Sequence, residues 1–165
     1  SNYGRTRRAG VNFGQTLHVM ELLPGHGPAR LARWDIFTNY TCQDPVFDGG
    51  KFDGKNIPMV PRHALSAGMD MAWSGGFSWN LAARFTGVQY AINDTANGTP
   101  RMKPYTAVDT RFAYAMKDGA ELYFGVSNLF NALYDSYVVK SASGTNKDYF
   151  PAPGRHYVAG VTYKF

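Results

Sequence analysis

The sequence predicts an all-β protein, an antiparallel transmembrane β-barrel to which this chain contributes about seven strands. Seven segments alternate apolar with polar side chains, as a strand with one apolar face requires. The connections between them alternate between longer and shorter, which is typical of barrels with turns on one side and long loops on the other. On the apolar faces, aromatic residues gather toward the strand ends, where two membrane interfaces would lie.

Composition supports a turn-rich all-β chain. The 165 residues include only 18% charged residues, with 15% aromatics, 18 glycines and 9 prolines. No run approaches the roughly 18 apolar residues of a membrane-spanning helix, so a helical membrane protein is excluded. The absence of a signal peptide predicts a mature form or a fragment. The single cysteine, Cys42, excludes an internal disulfide.

The formal net charge of +5 does not indicate nucleic-acid binding. No basic block is interleaved with aromatics, and no zinc-finger or RNA-binding motif occurs, so nucleic acid is not an expected partner. The excess is concentrated in the first fifth of the chain, at Arg5, Arg7, Arg8, Arg30 and Arg33. The cluster at 5–8 is interpreted as a solvated strand end, with contact to lipopolysaccharide phosphates as its functional alternative.

The seven predicted strands alternate with turns and loops. They cover 9–20, 31–42, 63–73, 77–90, 105–116, 120–130 and 155–165. Turns are predicted at 21–30, 74–76 and 117–119, and long loops at 43–61, 91–104 and 131–154. The connection 21–30, with ten residues, is longer than expected for the periplasmic side of a barrel, where the turns are short. Parity assigns Phe112 and Val126 to the lipid face, and Ala113 and Ser127 to the lumen.

Strand alternation alone suits a β-sandwich or a soluble barrel equally well. The aromatic placement favours a membrane, because Trp73, Phe77 and Tyr163 would lie near one interface and Phe85 and Tyr157 nearer the other.

Five motifs in order resemble a known family. They are Thr-Arg-Arg-Ala-Gly-Val at 6–11, Ile-Pro-Met-Val-Pro-Arg-His at 57–63, Asn-Leu-Phe-Asn at 128–131 followed by Tyr134, Pro-Ala-Pro-Gly-Arg at 151–155, and the closing strand to Phe165. The chain resembles the C-terminal part of the barrel of TonB-dependent outer-membrane receptors. In that family the barrel is larger, 22-stranded, and filled by an N-terminal plug domain. No plug and no TonB-binding segment is matched within 1–165.

The resemblance implies TonB-energised uptake of a scarce nutrient, such as a ferric siderophore, haem or another metal chelate, across the Gram-negative outer membrane. It implies no enzymatic activity and no resident cofactor. The implied partners are the rest of the receptor chain, TonB, the barrel-assembly machinery, lipopolysaccharide and the chelate. The three long loops would be extracellular. The assembly signal would consist of Tyr157, Val161, Tyr163 and Phe165.

A small self-contained barrel with an adhesion or lipid-binding role is the alternative. Such a bacterial barrel needs an even number of at least eight strands. An eighth strand within 1–8 or 43–61 would favour it.

Aromatic residues in and beside the loops are the candidate ligand contacts, since they suit a planar or catecholate ligand. The predicted contacts are Phe47, Phe52, Tyr90, Arg101, Tyr137, Tyr149 and Phe150. An alternative is that the loop aromatics, Tyr134 among them, pack the loops against each other. The formal charges of the three loops sum to zero, so they do not indicate an anionic ligand.

Neither metal binding nor catalysis is indicated. Asp44, Asp48 and Asp53 lack the spacing of an EF-hand loop. The four histidines, His18, His26, His63 and His156, lack metal-ligand spacing. No nucleophile stands beside a base in a catalytic motif.

Overall fold

The computed structural model describes residues 4–23, 30–142 and 144–163. The strands are β1 (Thr6–His18), β2 (Leu31–Phe47), β3 (His63–Trp73), β4 (Phe77–Thr86), β5 (Tyr105–Ala115), β6 (Ala120–Ser127), β7 (Asp135–Lys140), β8 (Lys147–Pro151) and β9 (His156–Tyr163). One helical turn, α1 (Val19–Leu22), follows β1, and a 3-10 turn covers Gly50–Phe52. Within the described ranges, no helix has the length and apolar character to cross a membrane.

Seven strands form one antiparallel sheet in the order β1-β2-β3-β4-β5-β6-β9. Each strand from β1 to β5 pairs with the next along the chain, and β6 pairs with β9, so the connections fall alternately at the two ends of the sheet. Strands β7 and β8 form a separate hairpin. The long connections L1 (48–62), L2 (87–104) and L3 (128–155) all leave the same end of the sheet.

The register of the strands places the predicted apolar residues on one face. A central row crosses all seven strands of the sheet through Leu17, Ile36, Met69, Leu81, Thr110, Val126 and Tyr157. Phe112 lies on this face, where its ring stacks on Trp79 with centroids 5.9 Å apart. The predicted parity is therefore confirmed, and this face is the one that meets lipid in a barrel.

The opposite face is polar, and its charged groups are paired across strands. Asn80 Nδ2 donates to Asp70 Oδ1 at 2.8 Å, and Arg111 donates to Glu121 at 2.9 Å. Arg84 forms an ion pair with Asp109 in the same way. Pairing lowers the cost of placing charges on a barrel interior, where water is limited.

Several strand boundaries differ from the predictions. Strand β1 begins at Thr6, so Arg7 and Arg8 lie inside it, and it ends at His18 because Val19 and Met20 belong to α1. Strand β2 runs five residues past Cys42, because β1 pairs with it as far as the Thr6–Phe47 register. Strands β4 and β6 end earlier than predicted, at Thr86 and Ser127. Residues 24–29 of the predicted turn lie outside the described residues.

The prediction of 131–154 as a loop without strands was wrong. Strands β7 and β8 pair there, with Val138 opposite Tyr149. Neither place proposed for an eighth strand of the sheet contains one in the described part of the chain. Residues 6–8 belong to β1 and residues 43–47 to β2. The alternative of a small self-contained barrel therefore gains no support.

Candidate ligand-binding site

The three long loops are tied together by backbone hydrogen bonds. L1 meets L2 where the amide of Met59 donates to the carbonyl of Tyr90 at 3.0 Å. L2 meets L3 where the amide of Ile92 donates to the carbonyl of Val138 at 2.8 Å, and that of Lys140 to the carbonyl of Ile92 at 2.9 Å. Val138 is 1% exposed, so the junction is a packed interior rather than a surface crossing. The loops thus form one folded layer at the end of the sheet.

A buried aspartate organises the centre of L2. Asp94 is 0% exposed, and its Oδ1 accepts from the amide of Gly98 at 2.9 Å. Its Oδ2 accepts from the amide and the hydroxyl of Thr99, at 3.0 and 2.7 Å. Burial by itself raises the pKa of the Asp94 carboxyl, but these three hydrogen bonds and nearby Lys140 together hold that pKa below its usual value. The group is therefore a carboxylate with its charge satisfied inside the loop.

A cleft of about 590 Å³ opens between L2 and L3. Its wall on L2 is the segment 100–104, and its wall on L3 includes the hairpin of β7 and β8. The lining residues are Pro100, Arg101, Met102, Lys103, Pro104, Leu133, Tyr134, Asp135, Val138, Thr145, Lys147 and Tyr149. This volume lies within the roughly 300–1,000 Å³ typical of small-molecule sites.

The cleft between L2 and L3 is positively charged. Three cationic side chains, Arg101, Lys103 and Lys147, line it against one carboxylate, Asp135, a surplus of two positive charges. The ammonium of Lys147 donates a hydrogen bond to the carbonyl of Pro100, which ties the two walls together. The neutral sum over the predicted loops therefore does not describe this cleft, because folding brings cations of L2 and L3 together. The charge of the ligand stays a prediction.

Two of the seven predicted contact residues, Arg101 and Tyr149, line this cleft. The ring of Tyr90 lies behind Arg101, with the guanidinium carbon 5.9 Å from its centroid. Tyr137 and Phe150 stack on each other across the hairpin, with centroids 4.3 Å apart.

The remaining two predicted contacts, Phe47 and Phe52, pack together at the base of L1, with centroids 5.9 Å apart. Phe47 is the last residue of β2 rather than a loop residue, and it is only 3% exposed. This pair therefore packs within the base of L1, and its role as a ligand contact stays a prediction. Phe47 also lines a second, mainly apolar cavity of about 400 Å³ between L1 and L2.

Ten of the twelve described residues that line the cleft are not among the predicted contacts. Tyr134 stacks on Tyr105 with centroids 3.9 Å apart, which fixes its ring at the cleft. Leu133, Lys103 and Lys147 line the cleft as well. A usable signal was the run at 100–104, in which two cations stand between two prolines in a loop. Nothing local marks Lys147, because its position depends on the hairpin.

The Asn-Leu-Phe-Asn motif closes the base of L3. Asn128 has φ of 51°, and its side chain donates to the carbonyl of Ala132 at 2.9 Å and accepts from the amide of Ala132 at 2.8 Å. The same amide group reaches the carbonyl of Pro153 at 3.3 Å. Asn131 Oδ1 accepts from the amide of Arg155 at 2.9 Å. The motif therefore joins the end of β6 to the start of β9.

The described residues contain no group of three or more His, Cys, Asp or Glu side chains placed to hold a metal ion. The three aspartates that were compared with an EF-hand loop each have a partner: Asp44 pairs with Arg62, Asp48 with Arg5, and Asp53 accepts from the amide of Gly49. His18 and His63 make single contacts, with Asp35 and Tyr40. His26 lies outside the described residues.

The closing strand presents its predicted assembly residues outward. Tyr157, Val161 and Tyr163 are all exposed on the apolar face of β9, whereas Phe165 lies outside the described residues. Their role in assembly remains a prediction.

An open antiparallel sheet with one apolar face, one polar face and all its long loops at one end defines a wall segment of a transmembrane β-barrel. Residues 1–129 match the family model described as "TonB dependent receptor-like, beta-barrel". The chain belongs to this family, as its five motifs predicted. The family's barrels lie in the outer membrane, and so does this segment.

The chain is similar to receptors and transporters of the outer membrane. It is 27% identical over 146 residues to the catecholate siderophore receptor Fiu of Escherichia coli strain K12, a match that covers 86% of this chain and 18% of the relative. The chain thus spans just under a fifth of the length of that relative.

Solved structures agree with the fold. The ferric-catecholate import receptor Fiu from E. coli K12, in its closed form, superposes with a TM-score of 0.71 at 25% identity, covering 100% of this chain and 22% of that one. The ferric citrate transporter FecA, unliganded, gives a TM-score of 0.75 at 24% identity, covering 94% and 24%. The siderophore receptor PiuA of Acinetobacter baumannii gives 0.72 at 17% identity, covering 97% and 22%. The last two likenesses concern the fold alone.

Proposed function

We propose that this chain is the C-terminal barrel segment of a receptor for TonB-energised uptake of a ferric siderophore of catecholate type, and that the ligand binds in the cleft between L2 and L3. The observation that carries the proposal is the surplus of two positive charges in that cleft, beside tyrosine rings. The cleft lies on the end of the sheet where the long loops gather, which is the extracellular end in a barrel of this family.

The chemistry of a ferric catecholate matches this lining. Iron(III) held by catecholate oxygens forms an anionic complex whose rim consists of flat aromatic rings. Arg101, Lys103 and Lys147 can donate charge-assisted hydrogen bonds to the anionic oxygens. The exposed ring of Tyr149 offers a stacking surface for a catechol. The similarity to a receptor named for catecholate siderophores supports this ligand class over haem or a non-aromatic chelate.

Transport requires parts that lie beyond these residues. In this proposal a plug and the remaining strands, supplied by the rest of the receptor, complete the barrel, and TonB supplies energy through the plug. The paired charges on the inner face, such as Arg111 with Glu121, provide a polar wall against which such a plug can pack.

Binding tests the proposal directly. The full-length receptor in lipid nanodiscs is titrated with the iron(III) complex of 2,3-dihydroxybenzoate. Replacing both Arg101 and Lys103 by Gln is expected to weaken binding about a hundredfold or more, since each charge-assisted hydrogen bond contributes about 1.5–3 kcal/mol and two are lost. Replacing Lys51 and Lys55 by Gln removes two positive charges from exposed positions of L1 and serves as the matched control.

Equal affinity in the Arg101/Lys103 variant and the Lys51/Lys55 variant would contradict the cleft as the binding site. Uptake of the same iron complex, labelled with iron-55, is expected to occur in cells with TonB and to stop in cells without it. Uptake independent of TonB would contradict the energised mechanism.

A further inference from the structure

The wall of the cleft on L2 begins directly after a turn that Asp94 closes. The carboxylate binds the amides of Gly98 and Thr99 and the hydroxyl of Thr99, and the cleft lining starts at Pro100. Asp94 itself is fully buried and does not line the cleft. Its carboxylate therefore acts on the segment 100–104 through the turn that precedes it.

The same turn is fastened to both neighbouring loops. Asn97, whose φ is 53°, accepts from the amide of Asn56 at 2.6 Å and donates to its carbonyl at 3.0 Å, which fixes the turn to L1. Ile92, two residues before Asp94, exchanges backbone hydrogen bonds with L3. Both ends of the turn are thus held, and Asp94 closes the remaining span.

We infer that Asp94 is a positioning residue for ligand binding: by closing the turn 94–99 it holds Arg101 and Lys103 against L3, in the place where they meet an anionic ligand. The inference rests on the proposed function of the cleft. It assigns to Asp94 no contact with the ligand, since both carboxylate oxygens are already engaged inside the loop.

Simple burial of a polar group in a packed loop accounts less well for the same geometry. A carboxylate that is buried only for packing can be satisfied by donors from any neighbouring segment. Here all three donors belong to Gly98 and Thr99, the two residues that lead into the cleft wall. Beyond that wall, the amide of Met102 donates to the carbonyl of Gln89 at 2.7 Å, so the segment is held at its middle as well. Loss of the Asp94 hydrogen bonds therefore frees the backbone between the turn 94–99 and Met102.

The first experiment reads the position of the L2 wall without any ligand. Full-length receptor in outer-membrane vesicles is treated with trypsin, and cleavage after Arg101 is followed by mass spectrometry. Asp94→Asn is expected to speed this cleavage about tenfold, because an amide group cannot accept from all three donors. Asp148→Asn, the same change at an exposed position of β8, is expected to cleave at the wild-type rate. Unheated electrophoretic mobility confirms that each barrel is folded.

Thr99 gives a graded version of the same test. Thr99→Val removes one of the three donors and is expected to speed cleavage by a smaller factor, while Thr99→Ser keeps the hydroxyl and is expected to restore the wild-type rate. A role in packing alone gives the opposite order, because Val preserves the shape of Thr better than Ser does.

The second experiment couples the turn to binding of the iron(III) complex of 2,3-dihydroxybenzoate. Asp94→Asn is expected to weaken binding about as much as the joint replacement of Arg101 and Lys103 by Gln, and combining these changes is expected to weaken binding no further. Fully additive losses would overturn the inference, and so would wild-type cleavage rates in Asp94→Asn. If wild-type receptor fails to bind the complex while Asp94→Asn still speeds cleavage, the proposed ligand is wrong and the positioning of the L2 wall by Asp94 stands.

Discussion

The sheet and the loop layer of this chain are stabilised in different ways. On the apolar face of the sheet, Val11 and Val161 are 70% and 66% exposed, as residues that meet lipid are. In the loop layer, by contrast, Ala91, Asp94 and Val138 are buried almost completely. The sheet is stabilised by contact of its apolar face with lipid and by the hydrogen bonds between its strands. The loops are stabilised by burying their own side chains.

This difference teaches which substitutions each region can tolerate. In the sheet, the face on which a residue lies decides whether a polar side chain is tolerated there, because one face meets lipid and the other meets the barrel interior. In the loops, polar groups such as Asp94 are tolerated deep inside, because the backbone supplies their hydrogen bonds. The following experiments test the contrast from its largest expected effect to its smallest.

A lysine at Leu81, midway along β4 on the apolar face, is expected to cost about 2–4 kcal/mol of unfolding free energy in a bilayer. The neighbouring Ala82→Lys is depth-matched and lies opposite Asp109 on the polar face, so we expect it to cost far less. Ala113 is unsuitable as the polar-face control, since it is only 5% exposed. Equal losses at Leu81 and Ala82, measured by denaturant unfolding of the full-length receptor, would refute the assignment of faces.

At the boundary between the two regions, Asn128→Ala is expected to lower the unfolding free energy by about 2–3 kcal/mol, because it removes hydrogen bonds to Ala132 and Pro153. Asn128 also has a positive φ, which alanine tolerates poorly. Asn128→Gly keeps that backbone freedom and isolates the side-chain loss. A glycine variant as stable as wild type would show that backbone conformation, rather than the hydrogen bonds, closes L3.

Acid is expected to loosen the loop layer before the sheet. The pKa of Asp94 lies below its usual value in the folded loop, so its contribution is fully present above the ordinary carboxyl pKa. That contribution is lost as the pH falls through the depressed folded pKa, when the carboxylate gains a proton and nearby Lys140 loses its counter-charge. Hydrogen exchange of the Gly98 and Thr99 amides, corrected for intrinsic rates, should then accelerate. In Asp94→Asn this dependence should vanish; its persistence would assign the effect to another group.

The smallest effect is expected at the rim, where Arg5 and Asp48 pair at 3.1 Å. Arg5→Gln should change the unfolding free energy by only about 0–1 kcal/mol, because the Arg5 side chain is 84% exposed. Any loss should disappear at high salt. A larger, salt-independent loss would mean that Arg5 belongs to the packed loop layer.

The sheet was largely predictable from the chain, and the candidate site was not. Alternation from Phe77 to Phe85 assigned β4 to its faces correctly, since side-chain parity in a strand is a local property. The hairpin of β7 and β8 was missed, although Tyr137, Val138 and Val139 are good strand formers followed by a Ser- and Gly-rich turn. The hairpin pairs outside the main sheet, so it does not follow the alternation of strands with longer and shorter connections from which the other strands were predicted.

The sequence by itself determined the fold class, the two faces of the sheet, the long-loop end and the family, because alternation, turn residues and short motifs are all read within a few neighbouring positions. Only the tertiary structure decided that Arg101, Lys103 and Lys147 share one cleft while Phe47 is buried away from it. The reason is physical: L2 and L3 are separated along the chain by β5 and β6. Their side chains meet only because the strand order brings both loops to one end of the sheet.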